Sequence, residues 1–153
     1  VCACTGLPRK DMQVILNSDP NAAASDTFVQ LAATQPTSGF GEVFQYNNLM
    51  ASAAGYVGAH LVHPRLELGQ AFDRAMNEKV FTPLGMTATG FSFDRAMRDN
   101  WAHPHGDDIN GKPVLLKDSG MALNQAFARY GGAGGAWSTA NDLIRYVRFE
   151  LNE

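Results

Sequence analysis

The stretch "NLMASAAGYVGAHL", residues 48–61, decides how the rest of the chain is read. Ala51, Gly55 and Ala59 recur every four residues, so on a helix they share one face, flat enough for another backbone to come close. Asn48 stands where a capping side chain is wanted. A helix apolar nearly all round is expected to be buried. A polar group fixed at its N-terminus then gains a stiff support.

Such groups are present. Tyr46 and Asn48 sit two apart, where the loop "QPTSGFGEVFQ" runs into the helix and Gly39 and Gly41 permit unusual backbone angles. A phenol beside a carboxamide suits proton transfer next to substrate orientation. A free phenol, with a pKa of about 10, is a poor base at neutral pH, and ammonium groups nearby favour the phenolate. Tyr46 as a base therefore needs lysine company in space, and no lysine adjoins it in sequence. Asn48 offers a donor and an acceptor, which suits gripping an amide. A purely structural reading stands beside this one, with Tyr46 packed on the helix start and Asn48 as its N-cap.

Working outward, "RKDMQVILN" after Pro8 predicts a short helix stopped by "NSDPN". Ser25 is placed to cap "DTFVQLAAT", whose Phe28, Leu31 and Ala32 share a face. Leu66 to Val80 predicts a helix with Leu68, Phe72, Met76 and Val80 on one stripe and Asp73, Arg74, Asn77 and Glu78 outside. "TPLGM" breaks it. Asn110-Gly111, flanked by apolar residues, predicts a two-residue turn in a small hairpin. Thr139 and Asp142 form a capping box ahead of Leu143, Tyr146, Val147, Glu150 and Leu151 at helical spacing. The fold class is mainly α, with one minor β-hairpin and long loops.

The chain has 153 residues, 45% hydrophobic and 18% charged, enough for a single domain over 1–153 with a real core. A net charge of -3 without a basic stripe argues against nucleic acid as a partner. The longest apolar run is broken by Ser52, Gly55, Gly58 and His60, too short to span a membrane. No signal-peptide pattern and no initiating methionine open the chain, so it reads as a piece of something longer. Cys2 and Cys4 stand too close together to join distant elements and are too few for a zinc site.

A nucleophile is missing. No serine has a lysine three positions later, and none stands in a G-x-S-x-G elbow. Cys4 has no histidine near it in sequence. His60 with His63, and His103 with His105, Asp107 and Asp108, offer metal-ligand types, but the histidine–proline steps break helical geometry and such clusters are common in solvated turns. A metal-dependent hydrolase using His103 and His105 is thus a remote alternative. "GGAGGAW" lacks the lysine and hydroxyl of a phosphate-binding loop, and close backbone approach is its expected role. No cofactor is expected.

Four stretches, "TGLPR" (5–9), "FQYNN" (44–48), "FTPLGMTATGF" (81–91) and "GGAGGAWSTANDLIRYV" (131–147), resemble, in order and spacing, serine hydrolases of the class C β-lactamase type. That group includes penicillin-binding proteins, D-alanyl-D-alanine carboxypeptidases and esterases. The resemblance implies three motifs: Ser-x-x-Lys, Tyr-x-Asn and a Lys-Thr-Gly or His-x-Gly strand. Only the second is present, at Tyr46 and Asn48. The chain thus resembles the helical insertion domain of the β-lactamase/transpeptidase-like fold, a fragment of a two-domain hydrolase without its α/β domain. Cys4 departs from the pattern, standing where a histidine commonly precedes "TGL".

The implied mechanism is acyl transfer. A serine elsewhere attacks a carbonyl of an amide, β-lactam or ester. Tyr46, aided by lysines elsewhere, moves the proton, and Asn48 binds the substrate's amide or carbonyl. The implied partners are the α/β domain and a small-molecule or peptide substrate, and the implied address is periplasm, cell envelope or exterior. A non-catalytic binding or interaction module derived from the family is the rival reading. A domain without its mate is expected to expose an apolar patch near Tyr46 and "GGAGGAW" that invites dimerisation.

Overall fold

Asn47, and not Asn48, caps the central helix. Its backbone is extended (φ -143°, ψ 107°), its Oδ1 accepts from Met50 N, and its Nδ2 donates to Pro8 O at 3.0 Å. The two neighbouring asparagines compete for one role, and the bond to Pro8 decides between them. Asn48 becomes the first helical residue, its side chain released for other work.

The molecule is a computed structural model that describes residues 3–12, 19, 22–98, 100–116 and 128–152. Along the chain run α1 (Asp26–Ala32), α2 (Asn48–Val62) and α3 (Leu68–Met76), the last continued by a π-helical turn (Asn77–Phe81). Then come the single-turn α4 (Phe93–Ala96), strands β1 (His105–Asp107) and β2 (Pro113–Leu115), a 3-10 segment (Ala128–Ala133) and α5 (Ala140–Leu151). The described residues are mainly helical with one two-stranded antiparallel sheet, as the sequence predicts. Among them no helix is long and apolar enough to cross a membrane. The helix expected after Pro8 lies, beyond Asp11 and Met12, outside the described residues, as does Cys2.

Tyr56 and Ala59 of α2 pack on Ala71 and Phe72 of α3, with Ala24 completing the buried cluster. The Tyr56 ring meets Phe72 edge-on at 5.7 Å, and Phe91 extends the aromatic chain at 5.1 Å from Phe72. The stripe predicted for α3 does face inward, although the helix starts later, where the Glu67 carboxylate caps Gly69 N and Gln70 N. The expectation that α2 is buried all round fails: Val57, Leu61 and Val62 face outward. Ser25 does not cap α1, because its own backbone is already helical (φ -59°, ψ -26°) and its hydroxyl is not aimed at the first-turn amides.

The small-residue face of α2 meets the glycine-rich 3-10 segment, as the sequence suggests. A Cβ at Gly132 would lie 2.9 Å from Ser52 Cα and 3.0 Å from Ala51 O, and one at Gly55 would lie 3.0 Å from Gly132 Cα. Backbone cannot yield as a side chain does. Gly132→Ala is therefore expected to cost roughly 1–3 kcal/mol by overpacking, read as a lower midpoint in chemical denaturation.

The hairpin forms as predicted, with His105 opposite Leu115 and Asp107 opposite Pro113. Its turn is longer than two residues. Asp108 O accepts from Gly111 N, Ile109 and Asn110 form the corner, and Gly111 takes the positive φ of 74°. Asp108 Oδ1 accepts from the amides of Asn110 and Lys112, which explains an aspartate there.

At the C-terminal end, Thr139 caps α5 by accepting from Asp142 N at 3.2 Å. Asp142 does more than complete a capping box. It is 2% exposed, and its carboxylate accepts from Ala88 N, Thr89 Oγ1 and Arg145 Nη1, joining α5 to the "TPLGMTATG" loop. Burial pushes its pKa up, but the hydrogen bonds from Thr89 and Ala88 and the Arg145 guanidinium outweigh this and hold it below the usual carboxylate value. By contrast Leu143, Ile144, Tyr146, Val147 and Leu151 stand open, so the apolar spacing of α5 does not face a core among the described residues.

Candidate active-site cleft

How Tyr46 reaches its place begins in the loop before it. Residues 3–6 lie along the 37–45 loop: Ala3 O accepts from Gln45 N, Cys4 O from Gly41 N and Gly6 O from Thr37 N. This clasp brings the segment after Gly6 alongside the start of α2. Asn47 then seals the junction through Pro8 O. Arg9 and Asp11 follow directly, against the residues that the sequence singles out.

Tyr46, Asn48 and Leu49 line one side of a cleft of about 280 Å³, with Asp11, Tyr130, Ala133, Gly134 and Gly135 completing it. Tyr46 is 50% exposed, so it is not sealed inside the bundle. The Arg9 guanidinium lies over it, 5.3 Å from the ring centroid. Asn48 Nδ2 donates to Asp11 Oδ1 at 2.9 Å, while Asp11 Oδ2 pairs with Arg9 Nε. The reading of Asn48 as N-cap is thereby corrected. Among the described residues no lysine lines the cleft.

Asp11 and Tyr130 are lining residues that sequence reasoning missed. Asp11 lies 37 positions from Asn48, and no local pattern joins them. Tyr130 directly precedes "GGAGGAW", and no local spacing joins it to Tyr46 or Asn48. Its backbone kinks at φ -100°, ψ 39°, its side chain is buried, and its carbonyl accepts from Ser52 Oγ at 3.4 Å. Phe40, Val43 and Phe44, close to Tyr46 in the chain, stand exposed.

A second cavity of about 330 Å³ shares no lining residue with the first and is walled by Tyr56, Glu67, Phe72, Asp73 and Phe91 among others. Burial pushes the Tyr56 phenol up to about 12, against a partly compensating hydrogen bond with the Gly131 backbone. Burial, and then the nearby Glu67, raise Asp73 as well.

Three of the four histidines make structural contacts. His63 Nε2 lies 3.2 Å from Glu78 Oε2, the His103 ring lies tilted against Trp101 with centroids 4.0 Å apart, and His105 Nδ1 contacts His103 O at 2.9 Å. Among the described residues no three His, Cys, Asp or Glu side chains gather to hold a metal ion.

The Beta-lactamase family model matches residues 3–153. Among solved structures, the octameric penicillin-binding protein homologue from Pyrococcus abyssi is similar at a TM-score of 0.64 and 20% identity, over 99% of this chain and 34% of that one. D-amino acid amidase from Ochrobactrum anthropi SV3, complexed with L-phenylalanine amide, is similar at a TM-score of 0.65 and 18% identity, over 95% of this chain and 40% of that one. At such identities the likeness is one of fold, and this chain spans well under half the length of either protein. No curated protein matches it. With its helices, its cleft and nearly its whole length inside the matched range, the chain belongs to the beta-lactamase family.

Proposed function

We propose that this chain is the helical insertion domain of a serine hydrolase and supplies the Tyr-x-Asn wall of its cleft. Tyr46 relays the proton of an acyl transfer, and Asn48 holds the amide or carbonyl of the substrate. The attacking serine and the lysines that assist Tyr46 belong to polypeptide outside residues 1–153, in an α/β domain. The observation that carries this is the joint presence of Tyr46 and Asn48 on one open cleft.

Two further features support the reading. The solved relatives are more than twice as long as this chain, which leaves room in them for a second domain. The apolar residues open on α5, Leu143, Ile144, Val147 and Leu151, suit cover by such a domain. We assign that face to the α/β domain rather than to a second copy.

The test compares this chain alone with the full-length protein that carries it. The chain alone is expected to leave nitrocefin and p-nitrophenyl esters unhydrolysed. The full-length protein is expected to react with a fluorescent penicillin or fluorophosphonate at a serine outside residues 1–153. Covalent label on this chain overturns the division of labour, and a full-length protein that neither reacts nor hydrolyses favours the non-catalytic module.

A further inference from the structure

We propose that Asp11 is the positioning residue of this cleft, fixing the Asn48 carboxamide so that its carbonyl oxygen is the atom left for a substrate N–H. The inference rests on the functional reading above and deepens it toward amide substrates. Asp11 is 17% exposed in its side chain, and its two oxygens are divided between two partners. Oδ1 takes the Asn48 Nδ2 hydrogen bond at 2.9 Å, and Oδ2 takes Arg9, whose guanidinium covers the Tyr46 ring. One carboxylate therefore touches the cleft's carboxamide directly and its phenol through one intermediary.

The chemistry follows from what each group is able to do. A carboxylate only accepts, so it admits only the Nδ2 side of the Asn48 amide and excludes the flipped orientation. With Nδ2 turned to Asp11, Oδ1 is the acceptor available to a ligand, and one amide hydrogen remains as a donor. That combination matches a secondary amide, which presents an N–H and a C=O. An ester presents no N–H, and a site built to satisfy one discriminates strongly against its absence. Asp11 touches no reacting atom in this scheme. It acts through Asn48.

The experiment is a double-mutant cycle in the full-length protein on a matched amide and ester. Asp11→Ala is expected to lower kcat/KM for the amide about 10- to 100-fold, the scale of a misplaced orienting group. The ester is expected to suffer far less. Added to Asn48→Ala, it is expected to cost nothing more, because both remove one interaction. Asp11→Glu, which keeps a group that only accepts, is expected to restore more of the loss than Asp11→Asn, whose amide also donates. Multiplicative losses, equal losses on amide and ester, or no rescue by Asp11→Glu each overturn the proposal.

A second readout needs neither turnover nor Asp11→Ala to fold. The Asn48 side-chain amide resonances of the 15N-labelled protein, assigned with Asn48→Ala, are expected to move upfield in Asp11→Asn, as a charged acceptor becomes neutral. Unmoved resonances overturn the positioning role. Absence of hydrolysis in the unsubstituted protein sinks the functional reading instead, and the spectrum still decides on Asp11.

Discussion

In the full-length protein, Tyr46→Phe is expected to lower kcat/KM by roughly 10²- to 10⁴-fold, the usual contribution of a positioned acid–base group. The substitution removes one oxygen and leaves the ring. The Arg9 guanidinium sits over that ring's face, 5.3 Å from its centroid, a contact that phenylalanine preserves. Tyr46 is 50% exposed, so the substitution creates no buried cavity. Stability is therefore expected to stay within about 0.5 kcal/mol of the parent. Steady-state kinetics beside thermal melts separate the two effects. A variant that melts normally and turns over at the parental rate removes Tyr46 from the mechanism.

Asp142→Ala is expected to do the opposite, costing stability first. Three donors converge on the carboxylate: Ala88 N at 2.8 Å, Thr89 Oγ1 at 2.9 Å and Arg145 Nη1 at 2.7 Å. Deleting the acceptor leaves the Ala88 amide without its partner, while Thr89 keeps its 2.8 Å contact with Ser138 and half-exposed Arg145 keeps Gly85 O. The expected loss is about 3 kcal/mol, or roughly 6–12 °C in melting temperature for a domain of this size. Its pH dependence has a definite sign. Hydrogen bonds and the Arg145 guanidinium hold the folded carboxyl below the usual carboxylate value, so its contribution is present above that value and is lost as the pH falls through the lowered one. Asp142→Asn is expected to flatten that acid limb. An unchanged acid transition in the asparagine variant refutes this account.

The fate of these residues shows what a one-dimensional pattern carries. Tyr46 and Asn48 were legible because their relation is local, a loop end and a helix start two residues apart. The close approach of α2 and the glycine-rich segment was legible too, since small residues every four positions have few other uses. Asp11 was not, because its bond to Asn48 spans 37 residues and depends on the clasp between residues 3–6 and the 37–45 loop. Asn47 and Asn48 are chemically identical caps, and only the tertiary bond to Pro8 O tells them apart. Asp142 announced itself as a first-turn acid, while its second role needs Ala88 and Thr89, more than fifty positions earlier. What covers the apolar side of α5 was not legible, because helical spacing marks an apolar face without naming its cover.

Where Gly132 rests on Ser52 and Ala51, main chain meets main chain with no room for so much as a methyl group. The gap between Asn48's helix and the opposing glycine wall is then a fixed gauge, indifferent to the choice of side chains behind it. Bulk added along that contact breaks the packing before it reshapes the cleft, so sequence variation is expected instead at exposed positions close to Tyr46 in the chain, such as Val43 and Phe44.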